Sequence, residues 1–522
     1  MGSLQIHRAD VQDLRYIRIT KYGSGEILDA NRGRLARAAA RGGAVSALGT
    51  WGRFLFQFGT VIVIARILGP GEYGFAAIVL VFSSVSELLR GSGLASAILQ
   101  RDDLDRAIAS RVHYVSCAVG ALLGGAMLLL AKPLAQVFSD DRVIAFAPLL
   151  AIVLLCAGAS AVPMAMLARE LRFARLAALE FGAAVIGCAV ALALAVNGAG
   201  AASLVWQAVT VAVITCGGAL IASSFRPGWP ASRARTRPYV QFGLNSAVTQ
   251  IVRYASQNVD RVLLATTAQA ASVGVYAQAM QLIQLPIAQL SAPLQRVIIP
   301  VLSRLVDERD RYRLYFRSVL HVFAVLLWPV LSVLAVLSPA FIEVVFGTAW
   351  ATSADLMRLL AGTGFVAPVI FAASWAFVST GSARHQALLM VGVSTMTVTA
   401  VIIAAPHGAA GVALAVSASS AASLIPAVAL ARFCAPLRLA DFSAPLLWPA
   451  VLSVIGGASA WAATLSIESA ALSLGTGMLT AVAALAATFF LIPPLRRATL
   501  GILALLRRGD HTSTAQKLEP TP

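Results

Sequence analysis

The sequence predicts an all-α polytopic membrane protein with about 14 transmembrane helices. These are expected as two parallel six-helix repeats with a cleft between them, plus two extra C-terminal helices. Three observations carry this. Of 522 residues, 59% are hydrophobic and only 12% charged, and mean hydropathy is +0.81, whereas soluble domains are about 25% charged. Apolar runs of roughly 20 residues, the length a ~30 Å hydrocarbon core needs, follow one another along the chain. Finally, the polar positions of the first run return in the seventh.

Residues 1–43 are polar and basic, and read as a cytosolic tail lying near anionic membrane lipids. Spans are expected near 44–68, 74–98, 111–131, 143–166, 174–196 and 201–223, which form an N-terminal six-helix bundle over 44–224. A Pro-rich basic linker, FRPGWPASRARTRP, covers 225–238. Six further spans, near 239–266, 275–300, 318–345, 356–379, 385–405 and 409–431, form a second bundle over 239–433. Two additional spans lie within 444–494. In the tail 495–522, the segment LRRATLGILALLRR sets an apolar face between arginine pairs, which suits an interfacial helix on the inner surface.

The net charge is +17. The basic residues are dispersed over short connections, which argues against nucleic-acid binding and for a bias toward the cytoplasmic face. With the N-terminus inside, 31 of the 40 Lys and Arg residues fall in cytosolic segments. Only Arg66, Lys132, Arg142 and Arg358 fall outside, and five arginines lie within spans. Both termini are therefore expected in the cytoplasm. The five cysteines all sit in apolar stretches without a CxxC pair and read as packing residues. No metal, cofactor or catalytic residue is expected: the three lysines supply no GKS or GKT loop, and the six histidines form no HExxH.

An internal repeat is visible at slowly rising offsets. Shifted by 200, Ser46, Thr50, Arg53, Gln57 and Thr60 meet Ser246, Gln250, Arg253, Gln257 and Asp260. Shifted by 203, Gly71-Glu72-Tyr73 meets Gly274-Val275-Tyr276. Six spans return the chain to its starting side, so the two bundles share one orientation, and a substrate belongs in the cleft between them.

A charge at bilayer depth costs roughly 2.5–3.5 kcal/mol, so charges within spans mark water or protein, not lipid. At 1.5 Å per residue, Arg53 lies about 14 Å from the inner start of its span and Arg253 about 21 Å from Tyr239. A guanidinium is a planar fork matched to phosphate oxygens and stays charged. Arg53 and Arg253, with Gln57 and Gln257 one turn on, are the expected substrate-binding residues. Arg90 and Arg296, nearer the inner ends, are expected to join them as substrate-binding residues and add positive charge there. Asp260, Arg261 and Glu87 are expected to gate or to couple an ion. The alternative is an intraprotein ion pair, Arg253 with Asp260 or Arg90 with Glu87.

The segment ARILGPGEYGFAAIVLVFSSVSELLRGSGLASAILQR (65–101) resembles the opening of Wzx-type polysaccharide flippases. These belong to the multidrug/oligosaccharidyl-lipid/polysaccharide exporter superfamily. QNVDRVLLA (257–265), VGVYAQAMQL (273–282) and IIPVLSRL (298–305) extend the resemblance, which covers roughly residues 44–494. It implies that the cleft is V-shaped, and an alternating-access flippase that moves undecaprenyl-diphosphate-linked oligosaccharide across the bacterial plasma membrane. It also implies work alongside glycosyltransferases and a polysaccharide polymerase. Family sequences often carry an acid where this chain has Arg90, so the resemblance assigns that residue no specific role. The competing readings are a multidrug cation antiporter, which needs a net acidic cavity, and a membrane polysaccharide polymerase or ligase, which needs large external loops.

Overall fold

The computed structural model describes residues 56, 58–83, 85–86, 98, 105–170, 172–229, 258–465 and 467–491. The helices are α1 Phe58–Ser83, α2 Arg106–Phe138, α3 Arg142–Arg169, α4 Phe173–Val196 and α5 Ala202–Ala222. After residues 258–267, also helical, come α6 Ala270–Arg304, α7 Arg309–Val336, α8 Ser338–Val345, α9 Ala351–Ser379 and α10 Ala383–Ala404. The rest are α11 Gly408–Ala422, α12 Leu424–Cys434, α13 Leu439–Ser443, α14 Leu447–Thr464 and α15 Ala470–Leu491. No strand occurs among the described residues.

Eleven helical stretches among the described residues are long and apolar enough to cross a membrane. One of them, Ala383–Cys434, holds two of the expected spans. Expected spans 44–68 and 239–266 lie largely outside the described residues, so the count of 14 is not reached here. In two places the apolar runs are cut where hydropathy gave no sign. The run 318–345 begins earlier, at Arg309, and breaks at Leu337, where Ser338-Pro339 opens α8 with a residue that has no N–H to give. The run 409–431 breaks at Ser423 between α11 and α12. In α1, Gly69 sits at φ +70°, a left-handed setting that departs from regular right-handed helix geometry within the stretch Phe58–Ser83.

Helices α2–α5 pack among themselves, as do α6–α12, and α14 and α15 attach to the second group through α7 and α8. Small residues let the backbones approach. At the α2–α3 crossing a Cβ on Gly120 would stand 2.8 Å from Leu154 O. Leu337, Ala460 and Ala481 bury together where α7 meets α14 and α15.

Contacts sort the connections into two ends. At the Gly69 end, Arg142 pairs with Glu72 and Asp140, Glu72 accepts from Ala201 N at 2.8 Å, and Thr267 donates to Ala405 O at 3.2 Å. At the Arg304 end, Arg106 donates to Arg226 O at 3.0 Å, and the Tyr312 and Ser379 hydroxyls lie 2.8 Å apart.

Candidate functional site

Residues 258–267 and α6 run in opposite directions through the turn at 268–269, which brings Asp260 against the first turns of α6. Asp260 is only 6% exposed. A buried carboxylate needs donors, and it has two: the Tyr276 hydroxyl and the backbone N of Arg261 at 2.9 Å. The Arg261 guanidinium reaches Asn258 Oδ1 at 3.5 Å. These groups, with Met280, Gln284 and Thr397, line a cavity of about 300 Å³. That is room for about ten waters at their ~30 Å³ share of the liquid. An aspartate and an arginine thus share this cavity.

Beside this chamber α1 crosses α6 with backbones in contact. A Cβ on Gly74 would lie 2.7 Å from Gly274 N and overlap Ala270 O, and one on Gly274 would lie 3.0 Å from the Gly74 Cα and overlap Pro70 O. Only glycine at both positions permits this approach. Tyr73 fixes the crossing from one side, its hydroxyl donating to Gln281 Oε1 at 3.4 Å and its ring edge-on to Trp350 with centroids 5.3 Å apart. Tyr276, two residues from Gly274, fixes it from the other through Asp260. Asp260 is thereby tied to the turn of α6 that forms the crossing.

Of the expected site residues, the structure brings Asp260 and Arg261 together. Arg296 is exposed on α6, twelve residues or about 18 Å along the helix from Gln284, so it lies away from this chamber. Arg53, Gln57, Glu87, Arg90, Arg253 and Gln257 lie outside the described residues. Tyr73, Tyr276, Gly74 and Gly274 were not among the expected site residues. The signal was available in part, because Tyr73 and Tyr276 occupy matching places in the repeat.

A second polar assembly stands at the Arg304 end. Asp441, fully buried, takes Arg313 at 2.8 Å and also Arg317, and accepts from Arg438 N at 2.7 Å. The arginines are spaced i, i+4 on α7, so both face the start of the C-terminal pair. Nearby, His321 Nδ1 lies 2.9 Å from Pro445 O. Among the described residues no group of three His, Cys, Asp or Glu is placed to hold a metal ion.

The model of the family described as "Polysaccharide biosynthesis protein" matches residues 63–355. The chain is 25% identical over 313 residues to "Lipopolysaccharide biosynthesis protein WzxC" of Escherichia coli (strain K12), a match covering 59% of this chain and 63% of that protein. It is 23% identical over 326 residues to "Succinoglycan biosynthesis transport protein ExoT" of Rhizobium meliloti (strain 1021), covering 62% and 66%. The matches thus span just under two thirds of these relatives' length. The fold is similar to the solved structure described as "Lipid II flippase MurJ, inward closed conformation", with TM-score 0.70 at 14% identity, over 86% of this chain and 99% of that one.

Proposed function

The chain belongs to the polysaccharide biosynthesis protein family, and from that membership we propose that it is a flippase for lipid-linked glycans. Its substrate is an undecaprenyl-diphosphate-linked oligosaccharide, moved across the bacterial plasma membrane for a cell-surface polysaccharide. The observation that carries the reading is the pairing of family membership with polar groups held at membrane depth, Asp260 and Arg261 in their chamber. The relatives' names, one in lipopolysaccharide biosynthesis and one in succinoglycan transport, support the same class of cargo.

In this reading both termini face the cytoplasm, and the Arg304 end, rich in arginine, is the inner end. Arg53 and Arg253, with Gln57 and Gln257, hold the diphosphate in the cleft, while Arg90 and Arg296 attract it toward the inner mouth. A guanidinium fork suits a diphosphate because two parallel N–H groups meet two oxygens without any need for a metal. Asp260, with Arg261 and Glu87, acts as the gate. While Asp260 is ionised it holds Tyr276 and with it the Gly74–Gly274 crossing. A change in its charge loosens that tie and lets the Gly69 end open. The protein catalyses no covalent step in this account.

The test is leaflet-resolved analysis of lipid-linked sugars in a deletion strain, with and without the gene restored. Deletion is expected to leave the glycan on the cytosolic leaflet, and Arg53→Ala/Arg253→Ala is expected to restore protein but not export. Full export by the double variant would remove the arginines from the mechanism. Unchanged leaflet distribution in the deletion strain would remove the flippase reading itself.

A further inference from the structure

At the Arg304 end, the chain leaving α5 crosses the start of α2 as a short strap, residues 224–228, fastened at three points. The Phe225 ring is 4% exposed and stands edge-on to His113 with centroids 5.6 Å apart. Arg106 Nε donates to Arg226 O at 3.0 Å, and Gly228 N donates to Ser110 Oγ at 2.9 Å. Between the strap, the first turn of α2 and the last turn of α3 lies a cavity of about 270 Å³. Its walls include Arg106 and Ala109 from α2, the cap residue Asp105, Met166 from α3, and Phe225 and Arg226 from the strap.

Backbone oxygens hold each of the two arginines by one edge only. Arg226 Nη1 reaches Leu220 O, Ser223 O and Phe225 O at 2.9, 3.0 and 3.1 Å, closing the last turn of α5. Nε and Nη2 of Arg226, and Nη1 and Nη2 of Arg106, have no partner among the described residues. Two fixed guanidinium groups with donors to spare thus flank one cavity, and their planar forks match phosphate oxygens. The charges choose among phosphates. Two arginines and Asp105 sum to a single positive charge, which the single negative charge of a phosphodiester balances. A phosphomonoester, close to doubly charged at pH 7, brings excess charge toward the Asp105 carboxylate. Ala109, Met166 and Phe225 make the rest of the wall apolar, which suits an acyl chain. The cavity lies where α2 begins and α3 ends, the depth at which headgroups meet a spanning helix. Trp229, one residue past the strap, is 93% exposed, and an indole is at home among headgroups.

We propose that this cavity binds the phosphodiester of a membrane phospholipid, clamped between Arg106 and Arg226 with its chains along Met166 and Phe225. It goes beyond the flippase reading and does not depend on it. A general attraction of basic segments to anionic lipid has no fixed number of ligands; this site takes one. The bound phosphodiester adds a fourth fastening to the strap, because it joins a guanidinium of α2 to a guanidinium of the strap. The Pro-rich linker over 225–238 starts within this strap, so the lipid fixes the point from which the linker departs.

The test is protection of a cysteine in the cavity wall. The full chain, with its five natural cysteines replaced by serine or alanine and Met166→Cys introduced, is delipidated in dodecyl maltoside. It is then labelled with a water-soluble maleimide. Titration with dioleoylphosphatidylglycerol is expected to slow labelling about tenfold once the lipid reaches ten times its dissociation constant, because only the unoccupied fraction reacts. Dioleoylglycerol, with the same chains and no phosphate, is expected to protect nothing, and so is inorganic phosphate. Arg106→Gln/Arg226→Gln is expected to abolish the protection. Arg106→Gln alone, whose amide keeps a donor for Arg226 O, is expected to need about tenfold more lipid, which covers the case in which the double variant releases the strap. Equal protection by dioleoylglycerol or by inorganic phosphate overturns the phosphodiester. Failure of the phospholipid to protect, or protection undiminished in both variants, overturns the site. Each of these results leaves the flippase reading standing, because glycan leaflet analysis is measured independently.

Discussion

Two fastenings hold this protein at opposite ends, and they are built on opposite principles. The Gly74–Gly274 crossing joins α1 to α6 with bare backbone, dispersion contacts and one phenol hydrogen bond, Tyr73 to Gln281, while Tyr276 ties α6 to Asp260 on the preceding helix. The Asp441 assembly joins α7 to the start of the C-terminal pair with one buried carboxylate and two guanidinium groups. A backbone contact between glycines parts without leaving a charge or an unpaired polar group behind, apart from those the tyrosines hold. An ion triad at a fully buried carboxylate does not, because separation strands a charge. The first is a joint that can part at small cost, the second a joint that stays shut.

The sharpest way to break the comparison is to remove the carboxylate. Asp441→Ala leaves Arg313 and Arg317 facing each other and is expected to cost about 3 kcal/mol, read as a lower melting temperature of the detergent-solubilised protein. A melting temperature unchanged from wild type would mean the clamp is ornamental. Next, Gly274→Ala places a methyl on Pro70 O and is expected to cost about 1–3 kcal/mol of closure at the Gly69 end. Cysteine crosslinking between Tyr73→Cys and Gln281→Cys should then fall; undiminished crosslinking would mean that the crossing tolerates a side chain. Tyr276→Phe deprives Asp260 of one donor, a hydrogen bond to a charged group worth about 1.5–3 kcal/mol, and is expected to weaken the same crosslink. Tyr73→Phe, which loses only a long bond to a neutral amide, should cost about 0.5 kcal/mol and leave the melting temperature close to wild type.

The smallest effect belongs to the exposed ties at the Gly69 end. A hydrogen bond from the Arg142 guanidinium holds the Asp140 carboxyl below the usual carboxylate range. A depressed folded value means its contribution is present above the unfolded value near pH 3.9 and disappears as pH falls through the folded value. Being exposed and screened, the pair is worth less than about 1 kcal/mol. Asp140→Asn should therefore lower the melting temperature slightly at pH 7 and not at all in strong acid. An equal loss at both pH values would show that the effect is steric.

The transmembrane helices were legible because each is a local property of length and hydropathy. The run expected over 143–166 is α3 Arg142–Arg169, and the second of the two spans expected within 444–494 is α15 Ala470–Leu491. The breaks at Leu337 and Ser423 were hidden because hydropathy continues through them. Asp260 and Arg261 stood out because a charge at depth is costly wherever it sits, but their partners did not. Tyr276 is sixteen residues away on another helix, and Thr397 is far along the chain. Asp441 drew no notice because an acid just before an apolar run is common. Arg313 and Arg317 read only as two more basic residues at one end.

The sequence by itself determined the membrane class, the lengths of the helices, the lopsided basic charge and the family resemblance. All of these follow from transfer free energies that sum along the chain, one residue at a time. Only the tertiary structure decided that Gly74 meets Gly274, that Asp260 answers to Tyr276, and that Asp441 is shared by two arginines. Those choices belong to helix packing, where each buried polar group must find a donor or acceptor on whichever neighbour the crossing brings within reach.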